Sequence, residues 1–221
     1  MRLIFIIIFL YFNSLCVQGQ TNYTWSEIES KVTNSKSKFY YPDLIKRYKD
    51  FDNTLTDDDY THIYLGYVFN EGYLKSKPDE KNMAKLKTDE KYDELVKECQ
   101  YILDINPVSL KANDNMAYAL YKLGKEESKW RKYQNRYRTF RKIIALSGDG
   151  LTPESSLKVI YVSDEYNMIY SYFEIESIGE QSLVGLCDYF EVKPSKYYKS
   201  NKIYFDISKK LMRTQEIMSK N

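Results

Sequence analysis

Apolar side chains recur at helical spacing along roughly the first two thirds of the chain and then give way to β-branched and aromatic runs. In the stretch YDELVKECQYILDIN, Leu95, Cys99, Ile102 and Leu103 fall at i, i+4, i+7 and i+8, which makes one buried helical stripe. Pro107 lacks an N–H and pushes Asn106 toward an extended backbone, so this helix is expected to stop near Asp104 or Ile105. A second helix follows, with Ala112, Met116, Leu120 and Leu123 on one stripe and Gly124 at the left-handed closing position. Two helices joined by about four residues must lie antiparallel.

Upstream, Thr24 and Glu27 have capping-box spacing ahead of Trp25, Ile28 and Val32. Tyr41-Pro42 opens a helix carrying Leu44, Ile45, Tyr48 and Phe51. Thr56 and the three aspartates Asp57, Asp58 and Asp59 cap a third helix with inner face Tyr60, Ile63, Tyr64 and Tyr67, in which Gly66 allows close approach of a neighbouring backbone. Residues 72–79 read as a loop, and the charged segment that follows reads as an exposed helix anchored by Met83 and Leu86. From Glu126 to Leu146 the longest helix carries Trp130, Tyr133, Tyr137, Phe140 and Ile144 on one seam. Gly148, Gly150 and Pro153 end it.

Three β-like runs come next, at 157–162, 183–192 and 202–207. Residues 163–173 fit helix or strand by periodicity, and Ser163-Asp164-Glu165 tips the reading toward a short helix. The expected fold is α+β: a helical array over 20–150, then a small, mostly antiparallel sheet with a short closing helix over 151–221, packed on the helices.

The string DINPVSLKANDNMAYALYKLG resembles the junction between two tetratricopeptide repeats, with Pro107, Met116, Ala117, Ala119, Tyr121, Leu123 and Gly124 at the positions that pattern requires. That resemblance implies a concave groove lined by Lys111, Asp114, Tyr118, Tyr121 and Lys122. Asp114 and Tyr118 stand where such repeats place asparagine and lysine to clamp a peptide carboxylate. At the scale of the chain, FYYPDLIKRY, DDYTHIYLGYVF, SGDGLTPESSLKVIYVSDEY, CDYFEV and KIYFDIS resemble domain-of-unknown-function family 4919, a family of exported bacterial proteins. This implies fold and export and transfers no catalytic residue.

Arg2, the apolar run Leu3 to Phe12 and the small-residue site Val17-Gln18-Gly19 read as a signal peptide over 1–19. The run is too short to span a bilayer, which needs about 20 residues. Export to the periplasm or the exterior is expected, with lipid attachment at Cys16 as the alternative. With 33 basic and 31 acidic residues the chain is nearly balanced, which excludes a globally basic nucleic-acid binder. Cys99 and Cys187 are too few for a disulfide scaffold and read as free buried thiols.

No hydrolase, nucleotide or zinc signature is present, and no cofactor or metal is expected. His62 is the single histidine and, one turn from Asp58, reads as half of a surface pair. Asp57 to Asp59 lack the spacing of a calcium loop. Asp188, Glu191 and Asp206 on the expected sheet are the candidates for a glycosidase-like carboxylate pair. The long helix carries Lys129, Arg131, Lys132, Arg136, Arg138, Arg141 and Lys142 on its expected outer face, with Arg131, Arg138 and Lys142 in one line. The line could meet an anionic lipid, an acidic glycan or an acidic protein, or face solvent opposite the acid-rich 79–98 segment. The expected function is therefore an exported, non-catalytic binding or assembly module for a protein or anionic envelope partner, using the groove or the basic helix face. A secreted carboxylate-dependent hydrolase of glycan or peptide is the alternative.

Overall fold

A computed structural model describes residues 23–75 and 80–218. The signal-peptide reading and Cys16 fall outside them. Helices α1 (Trp25–Thr33), α2 (Tyr41–Lys49) and α3 (Asp57–Gly66) begin where the caps were expected. In α1 and α3 the box is complete: the Thr24 and Thr56 hydroxyls accept from the N–H groups of Glu27 and Asp59, whose carboxylates accept from the cap N–H groups in return. Gly66 is tight against side chains rather than backbone, since a Cβ there would lie 2.8 Å from Val32 Cγ1.

A single turn, α4 (Gly72–Lys75), replaces the start of the expected loop, and α5 (Lys81–Thr88) carries Met83 and Leu86 inward. Next come α6 (Tyr92–Ile105), α7 (Leu110–Lys122) and α8 (Glu127–Leu146), each packed on the one before. Gly124, at φ +66°, closes α7 as expected.

The chain then turns back through Gly148-Asp149-Gly150. The Asp149 and Gly150 amides both donate to Ser155 O, and a Cβ on Gly148 would sit 2.3 Å from that same oxygen, so only glycine fits there. Of the β-like run at 157–162, only β1 (Leu157–Lys158) is strand. Helix α9 (Val162–Asn167) starts immediately and continues as one wider turn through Tyr172, in agreement with the helical reading. The run at 183–192 is two strands, β2 (Ile178–Val184) and β3 (Cys187–Val192), folded at Gly185-Leu186 with Gly185 at φ +63°. With β4 (Lys202–Asp206) they form a sheet ordered β1-β4-β3-β2. Two of its pairings are antiparallel, and β1 joins β4 in parallel, which makes the sheet mixed. Helix α10 (Ser208–Met218) closes the fold.

Two apolar clusters hold these elements. The larger joins Tyr48, Ile63 and Tyr64 from the first helices to Phe140 of α8, Ile169, and Phe190, Ile203 and Phe205 of the sheet. The smaller is built from Met83, Leu95, Cys99, Ile102, Ala112, Met116 and Ala119 of α5 to α7. Cys99 lies in the small cluster and Cys187 on β3, and both are free buried thiols.

The N-terminal helix is tied to the distant sheet by one polar contact, in which Trp25 Nε1 donates to Asp206 Oδ2 at 2.7 Å. A hydrogen bond to a charged acceptor contributes about 1.5–3 kcal/mol. Trp25→Phe is therefore expected to lower stability by about 2 kcal/mol, read as a drop in the urea midpoint at unchanged slope.

Candidate functional site

Along α7, Asp114, Ala117, Tyr118 and Tyr121 fall at i, i+3, i+4 and i+7 and so share one face. Trp130 and Gln134, one turn apart on α8, face them across a cavity of about 240 Å³. Tyr121 is 62% exposed, and its ring meets that of Trp130 edge-on, with centroids 5.8 Å apart and planes at 79°. The Tyr118 ring is flanked by Tyr92 at 6.0 Å and by Lys87 Nζ at 4.4 Å. Asp114 is partly covered, and burial raises its carboxyl above the usual range against the opposing pull of Lys87 and Arg141.

Three of the five expected groove residues are thus brought together, with Trp130 and Gln134 as partners. Helical spacing places Trp130 on the packing seam, whereas in the structure it is half-exposed at the seam's outer end. Lys122 is exposed at the rim, its Nζ 5.9 Å from the Tyr118 ring. Lys111 lies elsewhere, pairing with Glu80 at 3.5 Å beside a separate cleft between α7 and α9 that Asp164 also lines.

The basic helix divides differently from its sequence pattern. Arg131 pairs with Glu127 one turn away, and Lys142 Nζ reaches Asp57 Oδ2 at 2.5 Å; Arg138 is exposed. Neither ion pair involves the 79–98 segment. Arg136 is not on the outer face: it is buried, its Cζ 3.5 Å from the Phe51 ring and 3.8 Å from the Tyr48 ring, and it donates to Tyr48 O. Arg141 packs over Tyr137 and donates to Ser171 O at 2.9 Å.

His62 is likewise interior rather than on a surface. Its ring stacks on Phe39 at 3.8 Å, Nδ1 lies 2.7 Å from Asp58 O, and burial depresses its basicity. Of the sheet carboxylates, Asp188 shares the core side of β3 with Phe190, whereas Glu191 and Asp206 alternate to the opposite side. Asp206 accepts from Trp25 and from Ser208 N.

Sequence reading missed the acids that are most perturbed. Asp164 and Glu165, taken as a helix start signal, are both buried. Asp164 accepts from Tyr64 Oη at 2.7 Å, yet desolvation still raises it to about 7. Among the described residues Glu165 finds no donor for either oxygen; burial first and then the Asp188 carboxylate raise it to about 9. Among the described residues, no three His, Cys, Asp or Glu side chains are grouped to hold a metal ion, and no helix is long and apolar enough to cross a membrane.

Against this geometry, the family model described as Domain of unknown function (DUF4919) matches residues 26–216. Comparison with curated proteins and with solved structures returned no match.

Proposed function

The chain belongs to the DUF4919 family, and we propose that it is an exported, non-catalytic binding protein that takes a segment of a partner polypeptide in a TPR-like groove between α7 and α8. The observation that carries this reading is the cavity where Tyr118, Tyr121 and Trp130 expose aromatic surface beside Asp114. Large aromatic side chains supply contact area at small entropic cost, which suits a recognition surface. Export rests on the Arg2, Leu3–Phe12 and Gly19 pattern. The basic face of α8 is the weaker of the two expected surfaces, because Arg131 and Lys142 already have acidic partners. The hydrolase alternative has less support, since Asp188 is on the opposite side of the sheet from Glu191 and Asp206, and those two stand at opposite ends of the β3–β4 ladder.

Crosslinking in the native cell envelope tests this reading. Tyr118→Ala with Tyr121→Ala is expected to abolish capture of partners, while charge reversal at Arg131 and Arg138 leaves most of it, and the purified protein is expected to begin at Gln20. Capture that survives the tyrosine changes, or a chain with residues 1–19 retained, would overturn the reading.

A further inference from the structure

We infer that the α7–α8 groove recognises an arginine side chain of its partner, with the guanidinium packed against the exposed aromatic surface of Tyr121 and Trp130 and paired with the Asp114 carboxylate. This rests on the groove being a binding site and goes on to name what it accepts. The cavity has two aromatic walls almost at right angles, Tyr121 and Trp130 with planes at 79°, beside a third ring, Tyr118. Aromatic faces carry negative quadrupole potential and attract cations lying within about 6 Å of the ring centroid, Arg more often than Lys. The chain's own cations behave in this way at the same rings: Arg131 Cζ lies 5.0 Å from the Trp130 centroid and Lys87 Nζ 4.4 Å from that of Tyr118.

Asp114 supplies the polar half. It lines the same cavity, and among the described residues its carboxyl makes no hydrogen bond or ion pair. Lys87 and Arg141 act on it only through space, and their attraction does not offset its loss of water. A partly desolvated, unpaired carboxylate in an aromatic cavity favours a ligand that brings both positive charge and N–H donors. Guanidinium meets both needs, because its planar fork pairs with a carboxylate while its face stacks on rings. The same charge disfavours the carboxylate ligand that TPR clamps bind, which would be set against Asp114.

The test uses capped five-residue peptides, Gly-Gly-Xaa-Gly-Gly with Xaa arginine, lysine or glutamate, titrated into the mature protein and followed by tryptophan fluorescence. The arginine peptide is expected to bind at least tenfold more tightly than the glutamate peptide, with the lysine peptide between them. Asp114→Asn removes no hydrogen bond of the folded chain and is expected to weaken arginine-peptide binding about tenfold, or about 1.4 kcal/mol, with a urea midpoint at neutral pH no lower than the parent's. Tyr121→Ala, at an exposed position, is expected to weaken it by a similar factor. Equal or tighter binding of the glutamate peptide, no binding of the arginine peptide at millimolar concentration, or an Asp114→Asn protein that binds arginine peptide as well as the parent would each overturn the assignment. If any of these occurs while partner capture still depends on Tyr118 and Tyr121, the groove survives as a binding site and only its cationic ligand falls. Loss of both brings down the groove itself.

Discussion

Replacing Arg136 by alanine is expected to destabilise the fold by about 3–5 kcal/mol, among the largest effects of any single change. The side chain is 5% exposed and has no carboxylate partner among the described residues; Phe51, Tyr48 and the Tyr48 carbonyl receive its charge instead. Truncation would remove both stacks and the guanidinium's hydrogen bond to Tyr48 O, which keeps the Phe51 N–H as donor, and would open a cavity between α2 and α8. Methionine fills similar volume, and substituting a well-packed apolar group for a buried charge is often neutral. Arg136→Met is accordingly expected to lose no more than about 1.5 kcal/mol. Urea unfolding of both variants checks this. Equal, small losses would show that Arg136 contributes little, and equal, large losses would place its value in the charge rather than in the packing.

The second large effect depends on pH. Asp164 and Glu165 are raised to about 7 and about 9 from ordinary values of 3.8 and 4.5. Below about pH 3 both are protonated in the folded and unfolded chain alike, and neither opposes folding. Between their ordinary values and their raised ones, the unfolded chain ionises while the folded chain keeps its protons. Stability then falls with rising pH by about 1.4 kcal/mol per unit for each group. The fall from Asp164 ends near pH 7, and that from Glu165 continues to about pH 9.

The charged groups acting on Glu165 are Asp188 on β3, which opposes its charge, Lys210 on α10, which favours it more weakly, and the adjacent Asp164, which opposes it least. Glu165→Gln keeps the shape and the donor of the protonated acid but cannot ionise. It is expected to match the parent at pH 5 within about 1 kcal/mol and to exceed it at pH 8 by about 4–5 kcal/mol, measured as urea midpoints at the two pH values. A shift of the same size at both would mean that Glu165 is not protonated in the fold.

These acids also show where reading the chain stops. Ser163-Asp164-Glu165 and Thr56-Asp57-Asp58-Asp59 are the same local signal, a hydroxyl ahead of carboxylates at a helix start. Both predict their helices. At α3, Asp57 and Asp58 remain accessible, to Lys142 and Tyr23 respectively. At α9 the corresponding acids are enclosed, Asp164 by Tyr64 of α3 and Glu165 next to Asp188 of β3, elements at least 20 residues away in sequence. Burial set by such distant neighbours leaves no mark on local spacing.

Arg136 repeats the lesson. Beside Tyr137 on the helical wheel it reads as an outer-face charge, and only Tyr48 and Phe51, brought by α2 and the residues just after it, turn it inward. Helix periodicity, caps and glycine stops are local, and they located most helices to within a residue or two. The groove is intermediate. Asp114, Tyr118 and Tyr121 are legible because one helix spaces them, whereas the α8 wall that completes the cavity comes from tertiary packing.

The division of the interior into two clusters bears on how the groove works. Leu110, at the head of α7, belongs to the large cluster, while Ala112, Met116 and Ala119 further along belong to the small one shared with α5 and α6. The helix presenting Tyr118 and Tyr121 therefore leans on the part of the molecule with fewer buried groups, the part expected to have the lower local stability. On the proposed reading of the groove as a binding site, a partner would have to hold that flank shut, and some of its binding energy would go to ordering rather than adhesion. On that reading Met83 and Cys99, packed together in the small cluster, would tune affinity from outside the groove through the rigidity they lend to α7.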